Sequence, residues 1–415
     1  MAQQRRLLPT TRPQVSGHRF MRRRVEHGLV FGDIRMIHDP LATRQRATIF
    51  GLIAVALVCA MMALFAWLRP NADPGDAPIL RASTGELYVR VDDTVHPVAN
   101  LTSARLIVGA PEEPRRIGDE HLLELPRGVP VGIGTAPAAF APKDAEDVVW
   151  SACMQGDRVR VIAGEPMKPL DRGRAVLAEA DGKEWMVTAD GRIMVPDASG
   201  ESGRVIRRGL GIDAKTPRWR PAPEMLDVAA ELPPLEIPSP LPGILSADGK
   251  HWARTDGGIQ PITPAQADVL AAAGAQRDEA SAAELAALPD AAPPAEIRLP
   301  DLAPEWVDPA RETPCLGENR GAATSVETPG GEVHPIALSG EAVADEFAGL
   351  AEGAVAVETA HGFHVVSGQG MRHLAEQEVL EQVGAVHTER VPWEIIALLP
   401  AGEDLTRAAA LRATY

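Results

Sequence analysis

The sequence predicts an α+β membrane protein in which one transmembrane helix precedes an outer region of four hairpin–helix repeats around a central β domain. Three observations predict it: a basic arm leads into an uncharged run, an aromatic-led hairpin pattern recurs four times, and two distant strand-rich stretches carry one cysteine each. With 415 residues, of which 45% are apolar and only 4% aromatic, the chain is long enough for several small cores.

The amino-terminal arm is strongly basic. Residues 1–46 contain ten arginines and three acidic residues, a net charge of +7 in a chain whose formal net charge is -16. A basic arm can bind nucleic acid, but this one ends at an uncharged run, so we expect no nucleic-acid partner. Ser16 is the expected N-cap of a helix that ends at Asp39-Pro40. This helix is expected to dock on a partner or lie on the membrane; a merely solvated helix is the alternative.

The uncharged run extends over residues 47–68. As a helix, its 22 residues would be about 33 Å long, against a hydrocarbon core of about 30 Å. A buried soluble helix rarely reaches this length without a charge. A cleaved signal peptide would have an apolar region of about 7–15 residues nearer the start and an A-x-A site. The run therefore predicts a single membrane-spanning helix.

The arginines predict the orientation of that helix. Positive residues near a spanning helix stay on the cytoplasmic side, so we expect the amino terminus inside the cell and residues 69–415 outside. Surplus arginines can also bind anionic lipid headgroups or an acidic partner surface.

Beyond a turn-rich linker, the outer region contains an internal repeat. Four short apolar strands begin at or near Tyr88, Trp185, Trp252 and Phe363, and Asp or Gly follows each aromatic residue five positions later, where a hairpin turn is favoured. Chance recurrence of turn signals is the alternative.

Helical patterns follow the hairpins. Thr263-Pro264 places a capping residue before proline at the first helical position. A second short helix ending in Leu-Pro closes each unit. The spacing of the anchors is irregular, which excludes a solenoid with a constant period.

Two further stretches carry strand-like runs, one around Cys153 and one around Cys315. We infer one central β domain built from both, with repeats on either side and therefore pseudo-twofold symmetry. These are the only cysteines beyond the apolar run, an even pair in an oxidising compartment, so we expect a disulfide. Two free buried thiols are the alternative.

Long motifs give the chain a family resemblance. They are PTTRPQVSGHRF near the start, MIHDP before the apolar run, GDAP after it and LYVRVDDTVHPVANLTSARLIVG from Leu87, together with the paired cysteines. With these motifs the chain resembles EccB, the single-pass membrane component of the type VII (ESX) secretion system of mycobacteria and related actinobacteria. The similarity covers essentially the whole chain.

The resemblance implies a location and partners. It implies an inner-membrane protein with a cytoplasmic amino terminus, an elongated periplasmic region, and assembly with EccC, EccD, EccE and other EccB copies. The family's repeats are said to be similar to cell-wall-binding modules of phage lysins, which implies peptidoglycan as a further ligand. In the cytoplasmic arm we expect the partner-binding residues to be Arg12, Arg19, Phe20, Arg22, Arg23, Arg24, Val25 and Leu29.

The residues give little support to catalysis. Some family members are described as ATP-hydrolysing, but the sequence contains no G-x-x-x-x-G-K-[ST] string to cradle phosphates. The glycine-bearing stretch Gly317–Ser325 has no lysine and is expected to be a loop beside the disulfide. His361 and His364, three apart on a strand, would point to opposite faces, so we expect surface histidines and no metal site. We expect no cofactor and no catalytic residues.

Two non-enzymatic functions compete. The chain is either a structural subunit that scaffolds a secretion complex or an anchor protein that binds peptidoglycan; ATP hydrolysis is a further alternative. The family-like arm favours the first, because a simple anchor needs no specific cytoplasmic contacts. The expected organisation is a cytoplasmic arm 1–46, a transmembrane helix 47–68, a linker 69–78, repeat 1 at 79–135, central β domain 136–180 and 293–357, repeat 2 at 181–240, repeat 3 at 241–292 and repeat 4 at 358–415.

Overall fold

The computed structural model describes residues 11–35, 40–67, 73–325 and 334–414. The chain divides into two compact units, residues 1–72 and residues 73–415. The first unit is helical and the second is a mixture of helices and sheets. The helices are α1 (Arg12–Phe31), α2 (Pro40–Trp67), α3 (Leu101–Val108), α4 (Asp119–Glu124), α5 (Glu201–Gly209), α6 (Pro223–Leu226), α7 (Pro264–Ala272), α8 (Ala282–Ala287), α9 (Gln377–Val383), α10 (Trp393–Ile396) and α11 (Arg407–Ala410).

Helix α1 begins earlier and ends earlier than the sequence predicts. Thr11, not Ser16, precedes it, and the Thr11 amide donates a 2.9 Å hydrogen bond to Oε1 of Gln14, as in a capping box. The helix ends at Phe31 because Gly32 adopts a φ of 69°, a left-handed conformation in which glycine is favoured. The predicted stop at Asp39-Pro40 was wrong: Pro40 is the first residue of α2, a position that proline tolerates, and Asp39 lies outside the described residues.

All the described strands lie in the second unit, and many of them form short hairpins. The strands are β1 (Ile79–Arg81), β2 (Leu87–Val91), β3 (Thr94–Val98), β4 (Arg115–Arg116), β5 (Val149–Gln155), β6 (Arg158–Gly164), β7 (Arg174–Ala180), β8 (Lys183–Thr188), β9 (Gly191–Val195), β10 (Glu231–Leu232), β11 (Gly243–Ala247), β12 (Lys250–Thr255), β13 (Gly258–Ile262), β14 (Arg277–Glu279), β15 (Glu305–Trp306), β16 (Thr313–Gly317), β17 (Ala322–Ser325), β18 (Ile336–Ala337), β19 (Glu346–Gly349), β20 (Val355–Thr359), β21 (Gly362–Val366), β22 (Arg372–Ala375) and β23 (Thr388–Arg390).

These strands form five sheets. We name them sheet 1 (order β3-β2-β1-β4), sheet 2 (β10-β9-β8-β7-β15), sheet 3 (β13-β12-β11-β14), sheet 4 (β22-β21-β20-β23) and the central sheet (β17-β16-β5-β6-β19-β18). In each of sheets 1 to 4, three consecutive strands form an antiparallel meander, and a later strand pairs in parallel with the first of them.

Asp-Gly turns join two of these hairpins. Asp181 and Gly182 between β7 and β8 both have positive φ, 50° and 71°, and Asp248 and Gly249 between β11 and β12 have 49° and 74°. Two consecutive positive φ angles define the type I′ turn, whose twist matches that of paired strands. The local sequence thus sets the register of both hairpins.

The central sheet is assembled from two distant stretches. Strands β5 and β6 come from the first, and β16 to β19 from the second; β16 pairs with β5 and β19 pairs with β6. Three strands from the ranges predicted for the central domain lie in other sheets: β7 pairs with β8 in sheet 2, β15 pairs with β7 in the same sheet, and β20 pairs with β21 in sheet 4. Strands β7 and β20 each begin a hairpin, and hairpin pairing needs only a short turn.

Apolar residues group the sheets in pairs. One core contains Ile79 and Val89 of sheet 1 together with Val365 of sheet 4. Another contains Leu177 of sheet 2 together with Ile244 of sheet 3. A third core lies around the central sheet, where Trp150 and Phe347 are fully buried. Burial of apolar surface from several sheets in one core holds the second unit together.

Candidate interaction surfaces

The predicted partner-binding residues all lie on α1 with exposed side chains. At 100° per residue, Arg12, Arg19 and Arg23 share one face of the helix, which we call the arginine face. Val25 and Leu29 share a different face, and the Leu29 side chain is 81% exposed. A helix with a basic face and an apolar face is suited to an acidic protein surface or a membrane surface.

Two other arginines of the set, Arg22 and Arg24, have side-chain hydrogen bonds within the arm. Arg22 donates from Nε to Oε1 of Glu26 at 2.9 Å, one helical turn later. Arg24 donates from Nε to the carbonyl oxygen of Ile34 at 3.2 Å. Phe20 is exposed on the same side of the helix as Arg24. The structure therefore separates the eight residues over several faces of α1 instead of joining them in one patch.

Helix α2 provides the apolar surface expected for a span. Of the described residues, only the segment Arg46–Phe65 of this helix is both long and apolar enough to cross a membrane. All of its side chains from residue 46 to 65 are exposed in the folded chain. A helix that is apolar on every side needs an apolar surrounding, which a bilayer supplies.

Cys153 and Cys315 form a disulfide, with their Sγ atoms 2.06 Å apart. The two residues lie directly opposite each other on the antiparallel strands β5 and β16 and are almost completely buried. The bond therefore joins the two halves of the central sheet across 162 positions of sequence.

The glycine-bearing stretch after Cys315 comprises the end of β16, a hairpin turn over residues 318–321, and strand β17. Arg320 at its tip has a φ of 61° and donates from Nε to the carbonyl oxygen of Val228 at 3.2 Å. Its guanidinium also forms an ion pair of 3.0 Å with Glu394. The Arg320 cation therefore holds the segment after α6 and helix α10 against this turn, and it is not free to bind a phosphate.

The two histidines of the HGFH motif meet at one aromatic ring. The rings of His361 and His364 both lie 5.0 Å from the ring of Trp393. The expectation of two surface histidines was wrong for His364, which is only 3% exposed because β21 turns this position into the core. Burial lowers the pKa of His364, so the ring is neutral at neutral pH.

Two ion pairs stabilise the central region, one within the central sheet and one between strand β7 of sheet 2 and the segment before β16. The guanidinium of Arg160 on β6 donates from Nε to Oε2 of Glu346 on β19 at 2.8 Å, and this bond lowers the pKa of Glu346. Arg174 on β7 bonds to Glu312 at 2.6 Å and lowers the pKa of that carboxyl group in the same way. Both carboxylates are therefore stabilised in their charged form.

A junction that the sequence analysis missed lies between β5 and β23. Trp150, fully buried on β5, donates from Nε1 to Oε2 of Glu389 at 2.8 Å. Oε1 of Glu389 faces Nε2 of His387 at 3.2 Å, and the same nitrogen lies 3.2 Å from Oδ1 of Asp147. The only sequence signal was the spacing of His387 and Glu389, which lie two positions apart at the start of β23; Asp147 is 240 positions away.

Comparisons with a family model and with known proteins point to the same family. The family described as type VII secretion system ESX-1, transport TM domain B, matches residues 7–244 and 244–414. The ESX-3 secretion system ATPase EccB3 of Mycobacterium tuberculosis is 30% identical over 489 residues, covering 97% of this chain and 89% of that protein. The ESX-1 secretion system ATPase EccB1 of the same organism is 29% identical over 464 residues, covering 97% and 94%.

Solved structures agree with the sequence matches. A chain in the structure of an intact ESX-5 inner membrane complex matches with a TM-score of 0.69 and 25% identity, covering 99% of this chain and 97% of that one. The EccB3 dimer from the ESX-3 core complex matches in fold with a TM-score of 0.67 and 24% identity, covering 81% of this chain and 100% of that one. The family match over nearly the whole sequence, together with the 30% identity, shows that this chain belongs to the EccB family of type VII secretion membrane components.

Proposed function

We propose that this protein is a structural membrane subunit of a type VII secretion core complex, which it anchors and scaffolds. The observation that carries the proposal is the match over 99% of the chain to a component of an intact ESX-5 inner membrane complex. A subunit of this kind needs an anchor, a cytoplasmic contact surface and an outer region, and the chain has a candidate for each.

The proposed orientation places the amino terminus in the cytoplasm and residues 69–415 in the periplasm. The ten arginines of residues 1–46 support it, because positive residues near a span stay inside. The buried disulfide supports it too, because disulfides persist in oxidising compartments. An epitope at the carboxyl end should be digested by protease added to intact spheroplasts, and protection of the epitope would overturn the orientation.

The outer region is proposed to consist of four repeats with pseudo-twofold symmetry about the central sheet. The support is topological: sheets 1 to 4 share a three-stranded meander with a later strand parallel to its first strand, and sheet 2 adds β10 beside β9. The pairing of cores adds to it, since sheet 1 shares a core with sheet 4 and sheet 2 shares one with sheet 3. In the proposed arrangement the central sheet lies between two similar halves.

The arm is proposed to bind other subunits, namely EccC, EccD and EccE, while the outer region contacts other EccB copies. Deletion of residues 1–40 leaves Arg44 and Arg46 beside the span, so insertion into the membrane should persist. Co-purification of the shortened chain with the other secretion subunits should be lost. The arginine face permits a sharper test. The triple variant Arg12→Glu, Arg19→Glu and Arg23→Glu should abolish co-purification, whereas lysine at the same three positions keeps the charge and should preserve it. Recovery of the intact complex with the Glu variants, measured by mass spectrometry after mild detergent extraction, would refute the contact.

ATP hydrolysis is a second candidate because the names of the relatives contain the word ATPase. The sequence offers no P-loop for it. Phosphate release from ATP by the purified full chain, measured with and without Mg²⁺, decides the question. A rate equal to that of buffer alone would exclude ATP hydrolysis and favour the structural function.

A further inference from the structure

Three side chains from distant parts of the chain converge on one point beside the central sheet. His387 Nε2 lies 3.2 Å from Asp147 Oδ1 and 3.2 Å from Glu389 Oε1. All three atoms lie within 4.8 Å of one another. The Glu389 side chain is 3% exposed and that of His387 is 10% exposed, whereas the Asp147 side chain is 77% exposed at the rim.

The described partners of the buried Glu389 carboxylate include no Lys or Arg side chain. The hydrogen-bond donors described around Glu389 are the Trp150 indole at 2.8 Å, the Val148 amide at 3.3 Å and the His387 ring. Nε2 of His387 holds at most one proton, and two carboxylates face it. Two carboxylates therefore converge on one ring nitrogen, and a buried carboxylate such as that of Glu389 is costly without a compensating cation.

We propose that Asp147, His387 and Glu389 bind a divalent transition-metal cation, with Zn²⁺ as the best fit. Around tetrahedral zinc with bonds of 2.0–2.2 Å, neighbouring ligand atoms lie about 3.3 Å apart. Two of the three separations already have nearly this value, and the exposed Asp147 can rotate to close the third. An imidazole ligand favours zinc over Ca²⁺ or Mg²⁺, which take oxygen ligands.

A hydrogen bond from Trp150 orients the proposed ligand Glu389. Because the Trp150 indole bonds Oε2 of Glu389, the other oxygen, Oε1, is directed at the metal position. Hydrogen bonds of this kind orient metal ligands. The bound ion would cross-link the segment before β5 to strand β23 and would keep one coordination position for water.

The test uses the full chain in mild detergent, purified with a tag that contains no histidine and stripped with EDTA. Calorimetric titration with Zn²⁺, with metal counted by mass spectrometry, should show one ion per chain and no binding of Ca²⁺. Asp147→Ala removes an exposed ligand without disturbing the core and should weaken Zn²⁺ binding by more than about tenfold, since loss of an outer-sphere partner alone costs about 10–100-fold.

The matched control is Asp144→Ala, an exposed acidic residue in the same segment that lies outside the cluster; its affinity should equal that of the wild type. His387→Gln should abolish stoichiometric binding while the far-ultraviolet circular dichroism stays unchanged. Absence of stoichiometric Zn²⁺ in the wild type, or equal affinity in the wild type and Asp147→Ala, would overturn the site.

Discussion

Trp150 and Glu389 are bonded to each other through Nε1 and Oε2 at 2.8 Å, although 239 positions of sequence separate them. Trp150 lies on the central sheet and Glu389 on the edge strand of sheet 4. The bond links the two sheets, and it satisfies both an indole N–H and a buried carboxylate that would otherwise be costly in the core.

The first prediction concerns this bond. Trp150→Phe removes the donor but keeps an aromatic ring, and it should lower the free energy of unfolding by about 2 kcal/mol or more, because hydrogen bonds to charged groups contribute about 1.5–3 kcal/mol. Trp306→Phe is the control: its Nε1 donates to the neutral carbonyl of Leu210 at 3.0 Å, so the loss should be nearer 1 kcal/mol. Urea unfolding followed by circular dichroism measures both, and equal losses would contradict the argument.

The disulfide gives the second prediction. Non-reducing gels should show a faster wild-type band that disappears in Cys153→Ser. The bond closes a loop with a separation of 162 positions, so its loss should cost up to about 5 kcal/mol in the chain-entropy treatment. Cys59→Ser, which changes the free cysteine of α2, should leave both mobility and stability unchanged. Identical migration of the wild type and Cys153→Ser would refute the bridge.

A third prediction concerns the close approach of the β16–β17 turn to sheet 2. A Cβ atom added to Gly321 would overlap the carbonyl oxygen of Ala189, in the turn between β8 and β9. Gly321→Ala should therefore destabilise the second unit by about 1–3 kcal/mol, as overpacking does. Gly134→Ala meets no atom within 4 Å and should change stability by less than about 0.5 kcal/mol. Equal melting temperatures for the two variants would contradict the prediction, because they would show that the turn shifts without a measurable cost in stability.

The fourth prediction is a pH dependence. The hydrogen bond from Arg160 lowers the pKa of Glu346, so this group stabilises the fold above the unfolded-state pKa of about 4.3 and loses that contribution as the pH falls through the lowered value. Glu346→Gln should therefore reduce stability at pH 7 and flatten the decline below pH about 4.3. Glu352→Gln, at an exposed loop position, should keep the wild-type profile. If the stability of the wild type and of Glu346→Gln fell in parallel with decreasing pH, the Arg160–Glu346 pair would not be a cause of the acid sensitivity.

Local signals predicted local structure well. Thr263 caps α7, where its Oγ1 accepts from the Gln266 amide at 3.2 Å, as the Thr-Pro pair indicated. Hairpins form at Tyr88, Trp185, Trp252 and Phe363. These features depend on residues within a few positions of each other, whose dihedral preferences and capping bonds act before any distant contact forms.

Assembly among distant segments was less predictable. Strand β7 lies in the range expected for the central domain, yet it pairs with β8, and its other neighbour β15 comes from more than a hundred residues later. His364 was expected at the surface and is buried against Trp393. Which side of a short strand faces a core depends on what packs against it, and strand alternation alone does not identify the packing face.

By itself, the sequence determined the basic arm, the uncharged helix, the cysteine pair and the order of hairpins and helices, because composition, length and turn chemistry act over short distances. Only the tertiary structure decided that sheets 1 and 4 share one core and sheets 2 and 3 another, and that Asp147, His387 and Glu389 meet. Contacts across more than two hundred positions depend on how apolar faces pack, and no local pattern encodes that packing.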